Sequence, residues 1–209
     1  MEKYSDQYII DSCKEQIRKE AVALNRVAEQ VDEAYVEACR AILDCKGRVV
    51  ISGLGKTGHI GEKIATTLAS LGVPSFFVHS CESLHGDMGM ITKDDLVIMI
   101  SNSGKSPEIL NMILPLKIIG AKTVSITKDK NSPLAQGTDI KILCEAGPEI
   151  DHLGLAPTTS TTAALSIGDA IATVVCKMRG FERKNFAVSH PGGALGQQLI
   201  SEYMKEASK

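Results

Sequence analysis

The sequence predicts an α/β fold: a three-layer sandwich around a five-stranded parallel, flavodoxin-like sheet of order 2-1-3-4-5, preceded by N-terminal helices. Three observations carry this expectation. Short, almost continuously apolar runs recur at 48–52, 75–79, 96–101, 123–127 and 140–143. Stretches of helical periodicity separate them, so strand and helix alternate along the chain. The runs are short and mainly apolar, most continuously at 96–100, as strands are when helices cover both faces of a parallel sheet.

The first 45 residues read as helix. Ile10, Cys13, Ile17, Ala21, Leu24, Ala28, Val31, Tyr35, Ala38 and Ile42 follow one another at steps of three and four, a packed helical seam. A break belongs near residues 30–32, where Asp32 can cap a second helix. The seam either covers this chain's own sheet or serves an oligomer interface. Further helices are expected at 57–71, 107–119, about 132–136 and 159–178, with another starting after His190. The crossovers should be right-handed. A length of 209 residues suits a single domain, with residues 1–45 as N-terminal helices and 46–209 as α/β core and C-terminal helices.

Composition narrows the partners. A net charge of −2 and 44% hydrophobic residues are ordinary for a globular chain, without the basic field of a nucleic-acid binder. Cysteines 13, 39, 45, 81, 144 and 176 form no C-x-x-C pair, which fits reduced thiols and a cytoplasmic location. The N-terminus has no apolar signal region. The longest apolar stretch, 163–176, is interrupted by Ser166, Gly168, Asp169 and Thr173 and is expected to be too short and polar to span a membrane.

In a 2-1-3-4-5 sheet the switch point lies between the first and third strands, and ligands bind there at the carboxyl edge. The loop after the first strand reads Gly53-Leu54-Gly55-Lys56-Thr57-Gly58. That after the third reads Ser101-Asn102-Ser103-Gly104-Lys105-Ser106-Pro107-Glu108. Gly53, Gly55 and Gly58 satisfy the dinucleotide fingerprint, but the second strand ends Phe77-Val78-His79-Ser80, without the acid that holds a ribose. Gly55-Lys56-Thr57 and Gly104-Lys105-Ser106 resemble the tail of a P-loop. The glycine required five residues earlier is replaced by Val50 and Met99. A phosphorylated small molecule remains: hydroxyls and amides of Ser101, Asn102, Ser103 and Ser106 around a helix N-terminus suit one phosphate.

Several groups near this crevice can do chemistry. Glu108 follows Pro107 in a helical first turn, where an acid is either a partner of the helix dipole or a carboxylate held beside the bound anion. Lys56 is either solvated or a cation facing phosphate or a developing enolate oxygen. Glu149, in a long connection over 147–162, is a candidate base. The hydroxyl run 158–162 partly caps the next helix. His190 lies in a turn-rich segment. His79 and His85 flank the turn after the second strand at a spacing that could hold a metal, although nearby acceptors are few. Asp169 reads as a buried structural acid. A phosphate pocket with two glutamates, a lysine and a histidine suits aldose–ketose isomerisation by general acid–base catalysis, without a cofactor.

The motifs Gly-Leu-Gly-Lys-Thr-Gly-His-Ile-Gly (53–61), Phe-Phe-Val-His (76–79), His-Gly-Asp-Met-Gly-Met (85–90), Ser-Asn-Ser-Gly (101–104), Leu-Gly-Leu-Ala-Pro-Thr-Thr-Ser-Thr-Thr (153–162) and Ser-His-Pro-Gly-Gly-Ala-Leu-Gly (189–196) resemble those of the D-arabinose-5-phosphate isomerases of the sugar isomerase (SIS) superfamily. The resemblance covers residues of about 10–200. It implies interconversion of D-ribulose 5-phosphate and D-arabinose 5-phosphate for synthesis of the eight-carbon sugar Kdo, for lipopolysaccharide or capsule. The alternative is a phosphosugar-sensing SIS module without catalysis. The resemblance places the family's catalytic lysine on Lys56, its glutamates on Glu108 and Glu149, and its histidine on His190. Substrate is expected against Ser52, Gly53, Gly55, Thr57, His79, His85, Ser101, Asn102, Ser103, Gly104, Lys105, Ser106 and Thr158. No metal is required; His79 is a candidate for an inhibitory one. The resemblance also implies a homotetramer whose sites borrow the histidine from a neighbouring subunit. Two departures stand out. Lys105 replaces an acid common among relatives, and the chain ends before the paired cystathionine-β-synthase (CBS) repeats that often follow. Any feedback ligand, such as CMP-Kdo, is therefore expected at the SIS crevice itself, with Lys105 helping to hold it.

Overall fold

The computed structural model describes residues 4–207. The helices are α1 (Asp6–Ala28), α2 (Glu33–Asp44), α3 (Gly55–Ser70), α4 (Ser80–Ser83), α5 (Pro107–Leu110), α6 (Ile113–Ile119), α7 (Pro133–Gly137), α8 (Thr159–Met178), α9 (Arg183–Ser189) and α10 (Ala194–Ala207). The strands are β1 (Val49–Gly53), β2 (Ser75–His79), β3 (Leu96–Ile100), β4 (Lys122–Thr127) and β5 (Ile140–Leu143). They form one sheet of order β2-β1-β3-β4-β5, parallel at every pairing. All five carboxyl ends therefore share one edge.

The apolar runs form strands because both faces are covered. Val49, Ile51, Leu96, Ile98, Ile100, Val124 and Ile126 pack on one face with Ile64 and Leu68 of α3 and Ile167 and Ile171 of α8. The alternate residues Val50, Val78, Val97 and Met99 pack on the other with Ile109, Met112, Leu116 and Leu134. Period-two side-chain direction thus feeds two cores from one strand sequence.

Several expectations are corrected. The helix expected over 107–119 is two pieces, broken at residues 111–112. Pro115 has no N–H for the Asn111 carbonyl, and its ring crowds that carbonyl four residues back. Asp32 does cap α2, its Oδ1 accepting from the Ala34 N–H at 3.1 Å. The seam on α1 is mostly outward: Ile10 and Ile17 are 47% and 72% exposed, while Ala23 and Val27 meet the core. Its later part, Tyr35, Ala38 and Ile42, is buried. Asp169 is not a buried acid; it pairs with Lys63 of α3 at 2.6 Å, partly exposed. The apolar stretch near 163–176 belongs to α8, a 20-residue helix that is long and apolar enough, by length and composition, to cross a membrane. In the fold it packs beneath α1, α2 and α3, and more than half of it is buried.

Candidate active site

The carboxyl edge of β1 and β3 is where the sequence motifs meet. β1 turns into α3 through Gly53, where a Cβ would come within 2.9 Å of the Thr57 carbonyl oxygen. Only a glycine allows so tight a strand-to-helix turn. Gly55 opens α3, and Lys56 is its second residue, in the first helical turn and exposed. Thr57 donates its hydroxyl to the Leu54 carbonyl at 2.8 Å.

The loop after β3 is held from the β4 side. Lys128 N–H donates to the Asn102 carbonyl at 3.1 Å, as does the Thr127 hydroxyl. Ser101, 3% exposed, accepts from the Gly104 N–H, and the Ser103 hydroxyl oxygen accepts from the Lys105 N–H. Gly104 has φ +62°, and a Cβ there would collide with the Ser132 side chain. Ser106 precedes α5 without bonding it through its side chain, Pro107 starts the helix, and Glu108 is half-buried in its first turn. The Lys105 side chain is exposed.

Glu149 closes the arrangement. Its Oε2 accepts from the Thr158 N–H at 2.7 Å, the Thr158 hydroxyl at 3.0 Å and the Ser160 N–H at 3.3 Å. The carboxylate therefore takes the place of an N-cap for α8. Burial pushes its pKa up, but the Ser160 and Thr158 donors outweigh that and hold it below the ordinary value. Glu149 is ionised at neutral pH. Thr57, Asn102, Thr127 and Ser160 line one small cavity, which joins the starts of α3 and α8 to the ends of β3 and β4. The Ser160 hydroxyl is buried there close to the Glu149 carboxylate, which it helps to hold ionised. It was hidden in the sequence among five neighbouring hydroxyl residues, 158–162, where capping explained any of them.

Not every expected residue joins the site. Ser52 is fully buried and donates to the Met112 sulfur at 3.3 Å; strand alternation aims it into the core, so its hydroxyl cannot bind a ligand at the edge. The Thr158 hydroxyl is committed to Glu149 and accepts from the Ile150 N–H, so it orders the connection rather than offering a free donor. His79 sits at the end of β2, its Nδ1 accepting from the Cys81 N–H at 3.3 Å, which places its proton on Nε2. His85 is exposed. Among the described residues no three His, Cys, Asp or Glu side chains cluster as a metal site.

His190 lies elsewhere. Its Nε2 is 2.8 Å from Ser70 Oγ and its Nδ1 is 3.1 Å from the Phe186 carbonyl oxygen. A carbonyl only accepts, so Nδ1 carries the proton and Nε2 accepts from Ser70. The ring also stacks on Phe186 at 3.9 Å. Ser70 ends α3 whereas Lys56 begins it, about 21 Å away at the α-helical rise. Within one chain, Lys56, Glu108 and Glu149 share an edge and His190 does not.

The sequence matches the SIS domain model over residues 42–174. The chain belongs to the SIS-domain family. Among its relatives, the arabinose 5-phosphate isomerase KdsD of Pseudomonas aeruginosa is 47% identical over 191 residues, 91% of this chain and 59% of that protein. The arabinose 5-phosphate isomerase KpsF of Escherichia coli O6:H1 is 44% identical over 197 residues, 94% of this chain and 60% of that protein. This SIS chain thus spans about 60% of the length of the curated relatives it matches. A solved structure of an E. coli CFT073 protein in complex with arabinose 5-phosphate superposes with a TM-score of 0.88 at 39% identity, covering 90% of this chain and all of that one. The Vibrio vulnificus NanR protein complexed with ManNAc-6P shares the fold alone, with a TM-score of 0.69 at 16% identity over 92% of this chain and 67% of that one.

Proposed function

We propose that this SIS domain is an aldose–ketose isomerase interconverting D-ribulose 5-phosphate and D-arabinose 5-phosphate. One observation carries the reading: α3 and α5 begin at the crevice without a cap from their own N-cap side chain, beside Lys56 and Glu108, and the carboxylate that caps α8, Glu149, stands at the same edge. Unpaired N–H groups and hydroxyls suit the phosphate dianion, with Ser101, Asn102, Ser103, Gly104 and Ser106 as its cradle and Lys105 at its rim. The names of the relatives and the sugar phosphate of the E. coli complex support the substrate.

In the reaction, Glu149 as base removes the proton beside the carbonyl and returns it to the neighbouring carbon. Lys56 stabilises the cis-enediolate oxygen, and Glu108 shuttles the hydroxyl proton. Each acid–base role contributes on the order of 10²–10⁴ in rate. His190 acts in the crevice of a neighbouring subunit of a homotetramer. That assembly is supported by the apolar residues left exposed on α1, α2 and α8, among them Ile17, Val36, Val174 and Met178. We place the enzyme in the cytoplasm, supplying Kdo for lipopolysaccharide or capsule, with CMP-Kdo as a feedback ligand of the same crevice and His79 as the place where an inhibitory metal would bind.

Incubation with ribulose 5-phosphate in D₂O, followed by NMR, tests the reaction: arabinose 5-phosphate deuterated at C2 is expected. Binding without any aldose product would favour a phosphosugar-sensing module instead. Mixing inactive Lys56→Ala and His190→Ala chains tests the shared site. Partial recovery of activity is expected, and none would place His190 outside the reaction. A thermal-shift series with CMP-Kdo beside sugar phosphates tests the feedback ligand; stabilisation by sugar phosphates alone would count against it.

A further inference from the structure

We propose that Gln30 is a positioning residue for Glu149, through a two-point clamp on the connection that carries it. The inference rests on the reading of Glu149 as the base. Gln30 follows the end of α1, and its side-chain amide meets the backbone of Glu145, 115 positions later. Its Nε2 donates to the Glu145 carbonyl at 2.7 Å, and its Oε1 accepts from the Glu145 N–H at 2.9 Å. Both backbone polar groups of Glu145 are thereby satisfied as a neighbouring strand would satisfy them, just past the end of β5. A second bond from Nε2 to the Arg26 carbonyl at 3.0 Å fixes the amide on α1. It also assigns the amide orientation, because a carbonyl accepts only from the nitrogen. Arg26 adds an ion pair to the Glu145 carboxylate.

From this clamp to the base the chain has little freedom. Gly147 N–H donates to Glu145 Oε1 at 3.2 Å, Pro148 fixes its own φ, and Glu149 is seized by Thr158 and Ser160. The connection is thus tethered at 145 from the end of α1 and at 149 by the start of α8. Without the first tether, α8 would hold Glu149 from one side only. Glu15, Arg18, Lys19 and Arg26 of α1 and Asp151 and His152 of the connection line the cleft beside Glu149, and Thr158 and Ser160 of the α8 start donate to it. Loosening the clamp weakens those donors' hold, so the Glu149 pKa rises toward its ordinary value.

The test measures ribulose 5-phosphate isomerisation by Gln30→Ala, Glu149→Gln and the double variant, with Gln7→Ala, on the exposed face of α1, as control. Gln30→Ala is expected to lower kcat about 10- to 100-fold with KM within about twofold. Its acid limb should move to higher pH, and amide exchange over residues 146–150 should speed up. In the Glu149→Gln background Gln30→Ala should cost nothing more. A full additional loss in the double variant, or a Gln30→Ala enzyme indistinguishable from Gln7→Ala, overturns the positioning role while leaving Glu149 as base. Full activity of Glu149→Gln overturns the reading of Glu149 itself, and the positioning role with it.

Discussion

The two edges of the sheet are built on opposite principles. At the amino edge, carboxylates saturate the backbone. Asp95, 3% exposed, accepts from the Arg48 N–H at 2.6 Å and the Thr92 N–H at 2.7 Å. Asp139 accepts from the Thr123 N–H at 2.8 Å and its hydroxyl at 2.6 Å. At the carboxyl edge, α3 and α5 start without a cap from their N-cap side chains, and α8 is capped by a carboxylate from outside the helix, Glu149. One edge is closed by structural carboxylates, whereas the other leaves the α3 and α5 starts open, where the proposed chemistry would lie.

Substitutions should therefore separate by edge. Lys56→Ala should lower kcat about 10²- to 10³-fold while the thermal midpoint stays within about a degree or two, measured by turnover and calorimetry on the same preparation. A matching loss of stability would break the contrast. Asp95→Ala should do the reverse. It removes the carboxylate that ties the part-buried Arg48 and Thr92 N–H groups together and should cost about 1–3 kcal/mol in urea unfolding, with kcat of the folded fraction unchanged. Gly104→Ala falls between, since its left-handed backbone and the contact with Ser132 both oppose a side chain. We expect about 1–2 kcal/mol of destabilisation together with weaker sugar-phosphate affinity. Ser160→Ala has the smallest effect. Removing the buried hydroxyl should leave the free protein within about 1 kcal/mol of the original and let the Glu149 pKa rise toward its ordinary value, while reducing the thermal shift given by arabinose 5-phosphate.

The same contrast has a pH signature. Burial raises the pKa of Asp95, but the Arg48 and Thr92 hydrogen bonds outweigh it and leave the group below its ordinary value. A carboxyl lowered in the folded state stabilises above its unfolded pKa, about 3.9, and that stability is lost as pH falls through the folded value. Acid unfolding should therefore begin below about pH 4, and Asp95→Ala should flatten the dependence.

Sequence pattern reached the strands more easily than the site. Apolar runs placed β2 and β5 at their observed bounds and the others within a residue; β1 and β3 are buried at every position, a local demand on each residue, while the edge strands β2 and β5 are only partly buried. The crevice was legible through its glycines and hydroxyls. Which hydroxyl faced the ligand was not. Ser52 turns inward by strand parity and a contact with Met112, 60 positions away, and Thr158 is taken by Glu149. His190 depended on Ser70, 120 positions away. Such pairings are set by the tertiary fold and leave no periodic trace. The break in the helix after β3 follows from Pro115, a signal that the expectation of one helix over 107–119 did not use.

Helix α8 has a consequence for how the molecule comes into being. Its apolar face is covered by α1, α2 and α3, all of which leave the ribosome before it. The longest apolar segment is thus synthesised last among its partners and meets a waiting surface, which shortens the time it spends exposed to other nascent chains. The reverse holds for truncation: a chain stopped before Thr159 would leave those three helices with bare apolar faces, and such fragments should aggregate when expressed.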